Sequence, residues 1–226
     1  AVSPLDFEGV VPKLLVKAGE QVKAGDALFF SKDDSRVLFT SPVSGTVTAV
    51  NRGEKRKVLN VTVQPDATQS FKEFDVPAIE KASKDDVTKL LLEAGLWPLI
   101  IQRPYGIIAN PDDQPKAIFV SGFDSAPLAA DYDVVLANDK VNLQKGFDVL
   151  ARLTAGKVHL SLNAKAENKV FEGLKGVEVH EFAGPHPAGN VGVQIHHIDP
   201  INKGEVVWTV SAEGVAMIGR LFATGK

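Results

Sequence analysis

The 226-residue sequence contains no cysteine, which excludes disulfides, thiolate nucleophiles and cysteine-ligated iron–sulfur clusters. It also has no apolar run near the roughly 18 residues that a transmembrane helix needs, and no signal-peptide pattern. Its 25 Lys and Arg nearly balance its 28 Asp and Glu, so the whole chain does not attract nucleic acid or anionic lipid. We therefore expect a soluble protein with a cytoplasmic address, no membrane-spanning helix and no nucleic-acid partner.

The length is sufficient for one large domain or two small ones, each with its own core. Ala1 begins the sequence without Met, and Lys226 directly follows a helical run. We therefore expect the sequence to be a piece of a longer protein. We place the domain boundary in the polar stretch 65–77, which gives a first domain over residues 1–75 and a second over 76–226.

The first domain is predicted to be a small β module. Two near-copies, at residues 16–19 and 22–25, place glycine where tight turns between short strands need it. Further strands are expected at 37–40, 46–50 and 58–63, and five short strands indicate a small barrel or flattened sandwich. With the turn at 41–45, this pattern resembles the biotinyl/lipoyl carrier fold.

Two features of this module have open alternatives. In the carrier family a hairpin tip presents the lysine that is modified, and Lys32 lies near the predicted tip. The motif residues that flank a modified lysine are absent, which favours an unmodified carrier-like barrel. The basic run at residues 51–57 is either a solvated turn whose charges suppress edge pairing or a docking patch for an acidic partner or lipid headgroups.

The second domain alternates strands and helices, which predicts a Rossmann-like α/β fold with a mainly parallel sheet. Ser83 with Asp86 opens a capped helix that Gly95 closes, and a long loop follows over 96–106. Because GxGxxG is absent, a standard NAD site is unsupported. Strands are expected at 117–120, 158–162, 177–182 and 206–210, and helices at 141–155, 166–174 and 211–221.

Three stretches carry a resemblance over essentially the whole chain: Gly95-Leu96-Trp97, residues 117–133 and residues 184–200. On these, the chain resembles the A subunits of bacterial sodium-translocating NADH:quinone oxidoreductases. It is more distantly similar to the flavin subunit of respiratory complex I and the C subunit of Rnf electron-transport complexes. The resemblance implies a peripheral subunit on the cytoplasmic face of the bacterial inner membrane, in a respiratory-chain translocase that oxidises NADH, reduces ubiquinone and exports sodium. The other subunits would be its partners, and the fragment alone would not be catalytic.

In those relatives a glycine-rich loop and an acidic loop hold FMN. Here bulky, proline-broken sequence follows Gly95, and a phenylalanine, Phe123, occupies the acidic loop. The resemblance therefore implies a degenerate FMN site without a tightly bound cofactor, and two readings stay open. Either the vacated cleft helps to bind ubiquinone, or it is a packed remnant in a scaffold that only docks partner subunits. The candidate cleft residues are Gly95, Trp97, Phe123, Asp124 and His186.

The stretch 186–200 holds three of the five histidines. A metal site from His186, His196, His197 and Asp199 is disfavoured, because adjacent residues on a helix point about 100° apart. We predict no metal ligands. Instead we expect a rigid turn at 184–187 and a helix over 188–198, with His186 beside the cleft.

Overall fold

The computed structural model describes all 226 residues and divides them into two compact units. Unit 1 comprises Ala1–Val76, Thr88–Pro98 and Gly225–Lys226, and unit 2 comprises Pro77–Val87 and Leu99–Thr224. The helix that begins near residue 84 is therefore divided between the units. No helix has both the length and the apolar character that crossing a membrane would require.

Unit 1 is built from two antiparallel three-stranded sheets, in the orders β1-β3-β4 and β2-β5-β6. Its core includes Phe29 and Phe39, whose rings stack with centroids 4.7 Å apart. The structure has six strands where the sequence predicted five, and the sandwich of two sheets is as expected. The strands are β1 (Pro12–Leu14), β2 (Gln21–Val22), β3 (Ala27–Ser31), β4 (Leu38–Thr40), β5 (Gly45–Arg52) and β6 (Val58–Pro65).

The two near-copies of the sequence form two equivalent turns, as predicted. In the first, the Lys17 N–H donates to the Glu20 carboxylate at 3.0 Å, and in the second the Lys23 N–H donates to the Asp26 carboxylate at 2.7 Å. The glycine before each acidic residue has a φ above +90°, a conformation that side chains disfavour. The repeat therefore encodes one turn used twice.

The two open features of the barrel lie at its surface. Lys32 follows β3 and is exposed, and its backbone N–H donates to the Val11 carbonyl at 2.8 Å. The basic run continues from β5 into the 3₁₀ turn Glu54–Arg56, where its charged side chains are exposed. Its use as a docking patch stays a prediction.

Helix α1 (Lys84–Glu93) has the predicted caps. The Asp86 N–H donates to Ser83 Oγ at 3.1 Å, and the Ser83 N–H donates back to the Asp86 carboxylate at 3.0 Å. At the other end, Leu96 N–H donates to Leu91 O at 2.9 Å, with Gly95 in the left-handed region at φ +69°. This is the Schellman arrangement that ends a helix at glycine.

Unit 2 contains a six-stranded sheet in the order β11-β10-β9-β12-β7-β8. Strands β9 to β12 are parallel to one another where they pair, whereas β7 and β8 are antiparallel additions. The first parallel strand, β9, lies between β10 and β12, so the sheet grows in both directions from it. The strands are β7 (Ile101–Arg103), β8 (Ile107–Ile108), β9 (Ile118–Ser121), β10 (Val158–Asn163), β11 (Glu178–Phe182) and β12 (Val207–Thr209).

Four helices complete unit 2. Helix α3 packs along α5, and Ile195 of α4 is buried with Phe119 of β9. Such a sheet with helices is the α/β fold that the alternating sequence predicted. The helices are α2 (Tyr132–Val135), α3 (Lys140–Leu153), α4 (Val191–Ile198) and α5 (Ala212–Thr224).

Four sequence predictions for this unit are wrong in detail. The expected helix at 166–174 is only the 3₁₀ turn Lys169–Phe171, because Asn168 and Gly173 adopt positive φ and interrupt it. The loop 96–106 instead includes β7, which pairs with β12. Helix α4 begins at Val191, later than predicted, because the Asn190 side chain accepts from Gly192 N–H and caps it there. Ala151, expected on the apolar face of α3, is exposed.

Candidate functional site

The loop that leaves the carboxyl end of β9 is organised by one hydroxyl group. Ser121 Oγ donates to the Phe123 carbonyl at 2.7 Å, lies 3.2 Å from the Gly189 carbonyl, and accepts from Gln194 Nε2 at 2.9 Å. Gln194 is fully buried on α4 and also donates to the Ala188 carbonyl. The β9 loop and the turn before α4 are thus fixed to each other through Ser121.

A second hydroxyl joins the same two segments. Ser125 Oγ accepts from the Gly189 N–H at 2.8 Å and lies 3.2 Å from His186 Nδ1. A Cβ added at Gly189 would lie 2.9 Å from Asp124 Cα and closer still to the backbone nitrogen of Ser125. Glycine at 189 is therefore required for this close approach of two backbones.

A pocket of about 230 Å³ opens beside this loop, past the carboxyl ends of β9 and β10. We call it the carboxyl-edge pocket. In open α/β sheets this edge is where ligands bind, near the strand from which the sheet grows both ways. Its lining residues are Gly122, Phe123, Asp124, Ala129, Ala130, Asp131, Tyr132, Asp133, Asn163, Ala166, Asn168 and Phe171.

The pocket has an aromatic wall with one perturbed phenol. The Tyr132 ring meets the Phe171 ring edge-on, with centroids 6.2 Å apart. Burial, followed by the charge of Glu213 and a hydrogen bond with it, raises the pKa of Tyr132 to about 12. Tyr132 is therefore a neutral phenol at physiological pH.

The structure brings together some of the predicted cleft residues. Phe123 and Asp124 line the carboxyl-edge pocket, and His186 contacts the same loop through Ser125 without lining the pocket. Gly95 and Trp97 belong to unit 1, where Gly95 packs against Thr40 and Trp97 is 0% exposed. A cleft formed by all five residues stays a prediction.

A larger cavity, of about 920 Å³, lies along the edge strand β11, and we call it the edge-strand cavity. It shares no lining residue with the carboxyl-edge pocket. Its lining residues are Lys116, Ala117, Gly156, Lys157, His159, Glu178, Val179, His180, Glu181, Phe182, His197, Ile198 and Asp199.

Two histidines that were not predicted as site residues from the sequence meet in this cavity. His159 Nδ1 lies 2.9 Å from His180 Nε2 and 3.8 Å from a Glu178 carboxylate oxygen. Burial, and then the neighbouring His180, lowers the pKa of His159. A hydrogen bond from Lys157 lowers the pKa of Glu178. The sequence signal that was available is the alternation of Glu178 and His180 in a predicted strand, which places both on one face.

Comparison with known proteins identifies the architecture of the chain. Residues 82–226 match a family model described as the NqrA second alpha/beta domain, and residues 1–66 match one described as the NqrA N-terminal barrel-sandwich hybrid domain. The chain belongs to the NqrA family. Both the resemblance and the fold class predicted from the sequence are confirmed.

Curated relatives of this NqrA-family chain are all named as the A subunit of a Na(+)-translocating NADH-quinone reductase. The protein of that name from Neisseria gonorrhoeae strain NCCP11945 is 39% identical over 98% of this chain, and that from Photorhabdus laumondii is 39% identical over 97%. The Yersinia pseudotuberculosis protein is 38% identical over 98%. The chain spans about half the length of these relatives, 49–50%.

Both cavities lie within the segment that matches the NqrA second alpha/beta domain. The residues that line them fall between 116 and 199, inside the matched range 82–226. Any ligand chemistry of these two cavities therefore belongs to the α/β domain, and the barrel-sandwich domain contributes none of their walls.

Proposed function

We propose that this chain acts as part of the A subunit of a sodium-translocating NADH:quinone reductase. The observation that carries the proposal is 38–39% identity, over 97–98% of the chain, to proteins that bear that name. In this role the chain is peripheral and lies on the cytoplasmic face of the bacterial inner membrane. The other subunits of the complex are its partners, and they carry the NADH and flavin chemistry.

Within that role, the carboxyl-edge pocket corresponds to a flavin site that no longer holds FMN. Small-molecule sites usually enclose about 300–1,000 Å³, whereas this pocket encloses about 230 Å³. Phe123 occupies part of its wall, and Ser121 and Ser125 fasten its loop to the turn before α4. Filling a vacated site with side chains removes the free-energy cost of a cavity.

The pocket nevertheless has the features that a quinone headgroup requires. Such a site needs an apolar slot, aromatic walls and one or two hydrogen-bond donors. Phe123, Tyr132 and Phe171 supply aromatic surface. Asn163 Oδ1 accepts from the Lys165 N–H at 3.0 Å, so its amide nitrogen remains as a donor at the pocket wall. We propose that the ring of ubiquinone enters here, with a carbonyl oxygen on the Asn163 amide.

The small volume also favours a second candidate function, a scaffold whose surfaces dock neighbouring subunits without binding quinone. In that case the loop 122–130 would be a packed remnant whose role is to shape a surface. The exposed basic run at residues 51–57 would be available to an acidic partner.

A titration with a short-chain, water-soluble ubiquinone tests the quinone proposal. Chemical shifts of the ¹⁵N-labelled chain are followed, and we expect saturable changes centred on residues 122–133 and Asn163. Phe123→Ala with Asn163→Ala should weaken binding about tenfold or more, since about 1.4 kcal/mol corresponds to a factor of ten. The matched control Asn51→Ala, on the exposed surface of β5, should leave binding unchanged.

The outcomes separate the candidates. Absence of saturation, or equal weakening by the Asn51 variant, overturns the quinone site and leaves the scaffold. Saturable FMN binding in a parallel titration would overturn the degenerate-site proposal. Membership of the complex is tested independently: the affinity-tagged chain, co-expressed with the other subunits, should co-purify with them, and failure to do so contradicts that proposal whatever the quinone result.

A further inference from the structure

The sheet register places three metal-ligand side chains together on the edge-strand cavity. Strands β10 and β11 are parallel, with His159 opposite Glu178 and Ser161 opposite His180. Opposed residues project to the same face of a sheet, and so do residues two apart on one strand. His159, Glu178 and His180 therefore converge on one face, beside the open edge of the sheet.

Their ligand atoms are spaced closely enough to surround one ion. One nitrogen from each histidine and one Glu178 oxygen all lie within 4.8 Å of one another. The two nitrogens are 2.9 Å apart, and His159 Nδ1 is 3.8 Å from the carboxylate oxygen. Bonds of about 2.05 Å in a tetrahedral site separate ligand atoms by about 3.3 Å. Each of the two measured distances thus needs an adjustment of only about half an ångström.

One ligand is held rigidly and the others are accessible. The His159 residue is 5% exposed, and its ring stacks on Phe119 with centroids 4.6 Å apart and planes 22° from parallel. His180 and Glu178 are partly exposed on the edge strand, next to a cavity large enough to admit a hydrated ion. The fixed imidazole sets the position of the site, and the two outer ligands can adjust around an ion.

Two neighbours complete the arrangement. Lys157 contacts the Glu178 carboxylate at 2.7 Å, but its side chain is 70% exposed and a carboxylate has a second oxygen. The lysine can therefore stay paired or move aside when an ion binds. His197 and Asp199 line the same cavity at the end of α4.

We propose that His159, Glu178 and His180 form a binding site for a divalent transition-metal ion of the Zn²⁺ type, with water in the remaining position. Two imidazole nitrogens and one carboxylate select such an ion over Mg²⁺ and Ca²⁺, which favour oxygen ligands. Three protein ligands with one open position are the pattern of accessible zinc sites. This site is separate from the quinone pocket and does not depend on the function proposed for that pocket.

Zinc binding to the tag-free chain tests the proposal. After treatment with a chelator and its removal, the chain is titrated with ZnCl₂ by calorimetry, and with CoCl₂ by visible absorption. We expect one equivalent of Zn²⁺ with a dissociation constant in the micromolar range or below, and Co²⁺ bands of a four-coordinate site. Mg²⁺ at the same concentration should give no binding isotherm.

Two ligand variants and one matched control assign the site. His180→Ala and Glu178→Gln should each weaken Zn²⁺ binding at least about tenfold, which exceeds a nonspecific surface effect. His196→Ala removes an exposed histidine of α4 that does not line the cavity, and it should leave affinity unchanged. Melting curves in chelator check that each variant is folded. Glu178→Gln, a substitution of equal size on an accessible edge, decides the question if His180→Ala does not fold.

Three results would overturn the site. The first is no Zn²⁺ binding by the parent chain at about 100 μM, a concentration well above a micromolar dissociation constant. The second is loss of binding in the His196 variant equal to that in the His180 variant. The third is retention of full affinity in both ligand variants. Any of these would leave the close histidines as a simple imidazole–imidazole hydrogen bond.

Discussion

Gly219 is the position in unit 2 where a single methyl group should do most harm. Helices α3 and α5 cross there in backbone contact. A Cβ added at Gly219 would lie 2.7 Å from the Gly146 nitrogen, and closer still to the carbonyl oxygen of Asn142. Both obstacles are backbone atoms of α3, which cannot move by a simple rotamer change. Gly219→Ala must therefore push the helices apart.

The size of the effect follows from two opposing contributions. Ordinary contact begins near 3.4 Å, so the Gly146 nitrogen alone requires a shift of at least about 0.7 Å. Overpacking of this kind costs about 1–3 kcal/mol, and obstruction by backbone places the cost at the upper end. Alanine regains about 1 kcal/mol of helix propensity over glycine. The net expected loss is about 2 kcal/mol, or about 4–8 °C in Tm for a chain of this size.

Thermal unfolding followed by circular dichroism and tryptophan fluorescence measures this loss. The matched control is Gly192→Ala, an exposed glycine in the first turn of α4 whose added Cβ would meet only the Asn190 side chain. The control should change Tm by less than about 2 °C. A Gly219→Ala protein as stable as the parent, or more stable, would refute a crossing in backbone contact.

Three further effects follow from single contacts. Ser83→Ala should lower stability by about 1 kcal/mol in a melting experiment by removing the cap of α1, while Ser83→Thr should retain most of it. The folded-state pKa of Tyr132, about 12, exceeds its ordinary value of 10.0, so the stabilisation from the neutral phenol is fully present below pH 10 and disappears as pH rises toward 12; an ultraviolet titration against Tyr132→Phe should reveal this late ionisation. Gly189→Ala should cost about 1–3 kcal/mol and shift the amide resonances of residues 122–130, because its Cβ enters the backbone at Asp124 and Ser125.

Local signals in the sequence predicted the local structures well. The capping pair Ser83 and Asp86, the terminating Gly95 and the paired turns at 16–19 and 22–25 each depend on residues a few positions apart, and the structure contains all of them. The buried strand β9 was predicted because a run of apolar residues between turn signals has few other uses. Interactions within one turn of chain are readable without knowing the fold.

Features that depend on pairing between distant segments were not predictable. The stretch 96–106 is broken by prolines and was predicted to be a loop, yet β7 forms there because β12, about a hundred residues later, offers a free edge. The stretch 166–174 has helical composition, but the turn at Asn168 and the anchoring of the Lys169 and Val170 amides on the Asp133 carboxylate prevent a helix. Tertiary contacts decided both cases.

The candidate sites follow the same division. Phe123 and Asp124 were identified because the end of a parallel strand is a ligand position in any such fold. His159 and His180 were missed because their proximity depends on the register of β10 against β11, which no spacing along the chain reveals. The histidines that are clustered in sequence, His186, His196 and His197, drew attention away from a pair that the sheet assembles.

Strand β10 contributes to both cavities, and this sets a limit on how they communicate. His159 lines the edge-strand cavity and Asn163 lines the carboxyl-edge pocket. Four residues of strand separate them, about 13 Å at 3.3 Å per residue. A paired internal strand has no second arrangement through which an ion at one end could bias a ligand at the other, and coupling between sites requires two such states. Saturating Zn²⁺ should therefore change the ubiquinone dissociation constant of the chain by less than about threefold, measured by the same titration with and without metal. A tenfold change, which corresponds to about 1.4 kcal/mol of coupling, would mean that the β9 loop or the turn before α4 moves when the metal binds.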